Sequence, residues 1–189
     1  MAETPVRRRR ADAQRNRDAI LRAARAAFEA DGIFAPLDGI ATAAGVGNAT
    51  LYRNFPTRDD LLTAVIEDGF AELIAESEAF ERDLDAAKAL QEWMFRVTWA
   101  LRIWHDLPNC IATAHDDAES PVRPVTDRLT DRTAYFLERF RVGRGAPRVT
   151  AEELFQLLTA VSWAVDRFGD DPQRARKRVE FATAGLFTA

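Results

Sequence analysis

The stretch from Gly45 to Arg58, GVGNATLYRNFPTR, gathers Asn48, Ala49, Thr50, Tyr52 and Arg53 on one short segment and sets Arg58 just past Pro56. Amide, methyl and hydroxyl groups read the edges of base pairs, while phenol and guanidinium groups suit phosphate oxygens. An ordinary surface helix would carry Glu and Lys at such positions, and glutamates there would be repelled by flanking phosphates. Asn48 can pair with adenine, and Ala49 and Thr50 can touch a thymine methyl. Tyr52, Arg53 and Arg58, with Arg15 upstream, are placed to grip phosphate and set register. The same pattern also fits a small surface helix that only braces its neighbours.

Two other sets could do chemistry. Trp93, Phe95, Trp99, Trp104 and Trp163 could line an apolar chamber for a small molecule, or could pack as ordinary core. His105, Cys110 and His115 lie near Asp106, Asp116 and Asp117, but the two histidines do not share one helical face and no compact zinc spacing appears. No metal is therefore expected, and these residues are assigned to a surface or pocket edge. There is no nucleophile elbow, Gly-rich phosphate loop or paired metal motif. No catalytic residue and no cofactor is assigned, and the chain reads as a non-enzyme.

The elements that must position these groups are helical. The 189 residues are 47% hydrophobic and 30% charged, with only nine glycines, and Ala, Leu, Arg and Glu outweigh Val and Ile. A single cysteine excludes an internal disulfide and fits a reducing compartment. No apolar run approaches the roughly 20 residues that span a bilayer, and no apolar segment follows the N-terminal arginines as in a secretory signal. A cytoplasmic location without membrane contact is expected. The net charge of −4 hides an asymmetry: residues 7 to 25 hold eight arginines against Asp12 and Asp18, whereas residues 61 to 189 hold 16 basic and 22 acidic residues. A basic head on an acidic body points to a polyanion partner for the head. Arg7, Arg8, Arg9 and Arg10 could form a DNA-contacting arm or remain a solvated tail.

Residues 1–13 lack apolar periodicity and read as a flexible arm. Residues 14–57 read as three helices. The first, about 14 to 31, carries Leu21, Ala24 and Phe28 on one face and ends at Asp31-Gly32. Pro36 and Asp38 open the second, with Ile40, Ala43 and Ala44 on its buried side. Gly45 makes the turn, Gly47 caps the third helix (about 48 to 54), and Leu51 and Phe55 are its buried pair. Thr57 to Asp60 forms a capping-box-like start for a fourth helix to about 81, with Leu62, Val65, Ile66, Gly69, Phe70 and Leu73 inside.

Residues 58–189 continue as helices. They are expected at about 86 to 105, 108 to 118, from Ser120-Pro121 to 142, from the Thr150 capping box to about 169, and from Asp171-Pro172 onward. Two short helices around a glycine turn, the second with an uncharged polar outer face, describe a helix-turn-helix.

Residues 15 to 65 resemble the N-terminal domain of TetR-family transcriptional regulators, through ILRAARAAFEADGIFAPLDGIATAAGVGNATLYRNFPTRDDLLTAV. More narrowly, APLDGIA with GVGNATLYRNFPTR resembles the actinobacterial branch that has an SbtR-like C-terminal domain. The resemblance implies an all-α chain, with an N-terminal three-helix domain of helix-turn-helix type and a C-terminal helical domain for ligand binding and dimerisation. It implies base reading from Asn48, Ala49 and Thr50, and backbone contact from Tyr52 and Arg58. Two positions depart from the pattern. Asn54 stands where histidine is common, and Asp38 stands where base-reading members carry a basic residue, so Asp38 is taken as a helix-start residue with no base assigned.

Family members use their last two helices to dimerise. Here the stripe Leu154, Leu158, Val161, Val165 and Phe168, with Val179, Ala182 and Leu186, is the expected interface between two copies. Burial of both helix faces within one subunit is the alternative. Two reading heads about one helical turn apart would match a near-palindromic double-stranded operator. The expected function is a homodimeric DNA-binding regulator, a repressor released from its operator by a small-molecule effector. Sequence-independent binding for chromosome organisation and a helical-bundle enzyme are the competing readings.

Overall fold

The structure is a computed structural model that describes residues 5–102, 120, 122–142 and 149–187, with side chains from residue 11 onward. Every regular element among its described residues is a helix, and the chain divides into two compact units, Met1–Ile66 and Glu67–Ala189.

The first unit holds α1 (Pro5–Asp31), α2 (Leu37–Ala43), α3 (Asn48–Asn54) and the opening turns of α4 (Arg58–Asp83). Helix α1 starts at Pro5, upstream of the expected residue 14. Proline suits the first helical position, and Arg, Ala and Gln are strong helix formers that need no buried face. Its core stripe is Ile20, Ala24 and Phe28, each fully buried, so Ile20 replaces the expected Leu21, which is half-buried. Gly32 closes the helix at φ 81°, where its N–H returns to the Phe28 carbonyl at 3.0 Å. In α2 the buried residues are Ile40 and Ala41, whereas Ala43 is exposed and Ala44 half-buried, a shift in helical phase from the expected face.

Gly45 adopts φ 69° and turns the chain into α3, whose Leu51 and Phe55 are each 1% exposed. The guanidinium of Arg17 lies over the Phe55 ring at 4.5 Å. Thr57 and Asp60 form a reciprocal capping box: the Thr57 N–H donates to the Asp60 carboxylate at 2.9 Å and the Asp60 N–H to Thr57 Oγ1 at 3.1 Å.

The second unit comprises the later turns of α4 with α5 (Ala86–Leu101), α6 (Arg123–Arg141), α7 (Ala151–Arg167), α8 (Pro172–Thr183) and a 3₁₀ turn, Ala184–Leu186. Helix α5 is central and packs on α6, α7 and α8. Trp93 is fully buried there, stacked on Phe136 at 5.5 Å, and its indole N–H donates to Thr133 Oγ1 at 3.0 Å. Arg132 ties α6 to α4 through Ser77 at 2.8 Å and Glu81 at 2.9 Å, and Tyr135 also donates to Glu81. The Tyr135 bond, with Arg132 next, holds the Glu81 carboxyl below the usual range.

Thr150 and Glu153 complete the capping box that starts α7, and Asp171 caps α8. Between them Asp170, with no exposed side-chain surface, receives the Arg178 guanidinium at 2.6 and 3.2 Å. That bond holds its carboxyl below the ordinary carboxylate range, against the opposite pull of burial.

The expected dimer stripe is largely core. Leu154, Leu158, Val161, Val165 and Val179 are buried within the single chain, because that side of α7 faces α5 and α6. Ala182 and Leu186 are half-buried, and only Phe168 of the set is exposed, at 63%. The solvent side of α7 and α8 is apolar instead at Leu157, Trp163, Phe168 and Phe181.

Candidate functional site

Helix α3 is held at both ends by its own backbone. The Thr50 and Leu51 N–H groups bond to the Gly47 carbonyl at 2.8 and 3.2 Å, and Phe55 closes on Leu51 at 2.8 Å. With Leu51 and Phe55 inward, Asn48, Ala49, Tyr52 and Arg53 are exposed, and Thr50 and Asn54 are half-exposed. No acidic residue lies on this helix. It is thin at its leading end and carries amide, methyl and hydroxyl groups, the equipment for a wide groove lined with donors and acceptors.

Three contacts arrange this face. Arg53 donates to Thr50 Oγ1 at 3.0 Å, which leaves the Thr50 hydroxyl hydrogen and methyl free of that bond. Asn54 Nδ2 donates to the Thr50 carbonyl at 2.8 Å, so its amide is partly engaged within the helix. Asn48 Nδ2 donates to Asp38 Oδ1 at 2.8 Å across the turn from α2. Asp38 lies in the first turn of α2, as a helix-start residue should, and its carboxylate also accepts from Asn48. A lone carboxylate beside an otherwise acid-free face was the available signal.

Arg58 also has a partnership that its position alone does not show. Its Nη1 donates to the carbonyls of Ile33 at 3.0 Å and Ala35 at 2.7 Å, pinning the α1–α2 loop to the start of α4. Both hydrogens of that nitrogen are engaged by backbone. Arg15 is exposed and paired with Asp12 on the same helix. Residues Arg7 to Arg10 lie on the helical backbone of α1, and their side chains lie outside the described residues.

In the second unit, Phe95, Met94, Val179 and Phe187 border a cavity of about 510 Å³ between α5 and α8, with Glu92 and Arg176 at its edge. Arg176 pairs with Glu92 at 2.7 and 3.2 Å and sits 3.9 Å from the Phe95 ring, which stacks on Trp99. The aromatic set is thus divided. Phe95 lines the cavity, Trp99 stacks on Phe95 without lining it, Trp93 is core, and Trp163 is 56% exposed on α7. Trp104, His105, Asp106, Cys110, His115, Asp116 and Asp117 lie outside the described residues. Among the described residues no cluster of three His, Cys, Asp or Glu side chains forms a metal site, and no helix is long and apolar enough to cross a membrane.

Residues 20–65 match the family described as bacterial regulatory proteins, tetR family. Among solved structures, a TetR transcriptional regulator from Streptomyces coelicolor is similar at 26% identity and TM-score 0.63, over 90% of this chain and 97% of that one. A protein from Rhodococcus sp. assigned to the TetR family of transcriptional regulators shares the fold at TM-score 0.72 and 18% identity, over 93% of this chain and 100% of that one. No curated protein matches the chain. The match covers the latter part of α1, α2, the turn, α3 and the start of α4, and residues 20–65 therefore form a TetR-family, DNA-binding helix-turn-helix domain within a helical fold of TetR type.

Proposed function

We propose that the protein is a homodimeric, ligand-responsive transcriptional regulator that represses by occupying a near-palindromic operator and leaves it when a small molecule binds. The observation that carries the DNA part is the outward face of α3, where Asn48, Ala49, Thr50, Tyr52 and Arg53 stand exposed or half-exposed without an acidic neighbour on the helix. Asn48, Ala49 and Thr50 take the bases. Tyr52 and Arg53 take phosphates, with Arg15 and the arginines at 7 to 10 adding charge. A single reading head buries little surface on DNA, so two are needed for useful specificity.

The partner for dimerisation is a second copy seated on the exposed side of α7 and α8. Trp163 at 56%, Phe168 at 63% and Phe181 at 87% exposure, with Leu157 at 39%, are large apolar side chains left in water that a second copy would cover. The cavity beside Phe95 is the effector site we favour, because it sets Met94, Phe95, Val179 and Phe187 beside polar groups that could orient a ligand, among them Lys88 and the Glu92–Arg176 pair. The effector must bind the released state more tightly than the DNA-bound state, or it shifts nothing. The narrower likeness to the SbtR-like branch, and a cytoplasmic setting, belong to the same proposal.

The test is a titration of purified protein against its selected duplex at several salt concentrations. Asn48→Ala is expected to relax preference at one base pair at a cost of roughly 1–3 kcal/mol. A wild-type protein with equal affinity for every duplex would favour the chromosome-organising alternative, and Asn48→Ala and Thr50→Ala would then leave binding preferences unchanged.

A further inference from the structure

We propose that Asp38 is a positioning residue for base reading, locking the Asn48 carboxamide so that it presents one N–H and its Oδ1 together to an adenine. This rests on the reading of α3 as the helix that enters the groove.

The geometry admits one orientation. An ionised carboxylate only accepts hydrogen bonds. The 2.8 Å contact to Asp38 Oδ1 therefore puts Nδ2 of Asn48 toward α2 and turns Oδ1 away from it. Nδ2 carries two hydrogens, and one is spent on Asp38. The other, with Oδ1, is the donor–acceptor pair that matches adenine N7 and N6. Both side chains are exposed, so without Asp38 the Asn48 amide would sample several rotamers and both flips in water. Ordering it beforehand removes part of the cost of binding.

The carboxylate sits in the first turn of α2, where negative charge suits the helix dipole, but that role needs no contact with Asn48. It makes no cap for α2, whose cap residue is Pro36, and it places negative charge within one side-chain contact of a face that would meet phosphates. Alone, that charge weakens attraction to any duplex. Its compensation is selectivity at a single position. Asp38 is thus expected to reduce general affinity while sharpening one base preference, the opposite signature to a phosphate-binding arginine.

The experiment uses the full-length protein and the duplex it selects, with each base pair of one half-site varied in turn. Four variants are compared: N48A, D38A, D38N and the double D38A/N48A. Asn48→Ala locates the adenine pair. At that pair D38A is expected to lose most of the discrimination, roughly tenfold or more, with preferences at other pairs kept and the thermal midpoint within about a degree. D38N offers Asn48 either an acceptor or a donor, so both orientations of the Asn48 amide return, and its discrimination is expected to fall between those of wild type and D38A. The double variant is expected to discriminate no worse than N48A alone. Wild-type discrimination in D38A, or an equal loss at every pair, overturns the positioning role while leaving the groove reading intact. If N48A changes no preference while the wild type remains selective, the assignment of α3 falls, and this proposal with it.

Discussion

Replacing Arg58 with alanine removes two hydrogen bonds from a charged donor to backbone carbonyls, at 3.0 Å to Ile33 and 2.7 Å to Ala35. Such bonds contribute about 1.5–3 kcal/mol each where water is excluded. Arg58 is half-buried, so water replaces part of what is lost, and a total of about 2–4 kcal/mol is expected. Against a typical domain stability of about 5–15 kcal/mol this is a large fraction, and it lowers a urea midpoint by roughly 1–2 M. Arg58→Lys keeps the charge and a single multi-donor nitrogen, but its ammonium reaches less far and is more strongly hydrated, so it is expected to lose about half as much. The assay is urea unfolding followed by far-UV circular dichroism, run beside DNA titrations at several salt concentrations. If Arg58→Ala unfolds within about 0.5 kcal/mol of wild type while its salt dependence flattens by about one unit of slope, the guanidinium is a phosphate ligand and the clamp reasoning is refuted.

The exposed apolar face gives a second test: Trp163→Glu with Phe181→Glu is expected to yield monomers in sedimentation at micromolar protein and to weaken operator binding, and an unchanged dimer refutes that face. Asp170 is ionised and held low in the folded chain, so its contribution is complete above the unfolded value of about 3.9 and is lost as pH falls through the depressed folded value. The stability gap between wild type and Asp170→Asn is therefore expected to be widest near neutral pH and to close below about pH 4, as read by thermal unfolding across pH; a constant gap contradicts this. Thr133→Val leaves the buried Trp93 N–H without its acceptor and is expected to cost about 1–3 kcal/mol in chemical denaturation.

Local signals carried much of this structure. The third helix spans Asn48–Asn54 as its glycine, proline and apolar pair indicate, and the Thr57, Thr150 and Asp171 caps lie where their side chains announce them. These features are short-range, settled by residues within one turn of each other. What was misread depends on tertiary neighbours. The stripe from Leu154 to Val165 is an amphipathic face, but periodicity does not say whether its cover is α5 and α6 of the same chain or a second copy. Ile20 and Leu21 are adjacent apolar residues, and only packing selects between them. The Asp38–Asn48 and Arg58–Ile33 contacts join residues on different elements, so neither appears as a spacing. A polar pair bridging the two helices of a helix-turn-helix becomes visible only when the turn at Gly45 brings them together.

Selection of binding sites from a genomic library by the purified protein tests the placement of α3 most directly. Recovery of a near-palindrome with half-sites about one helical turn apart, whose preference at a single base pair per half-site disappears in Asn48→Ala, is the expected outcome. A wild-type library with no enriched sequence, or an enriched sequence that Asn48→Ala and Thr50→Ala both recover unaltered, would contradict it.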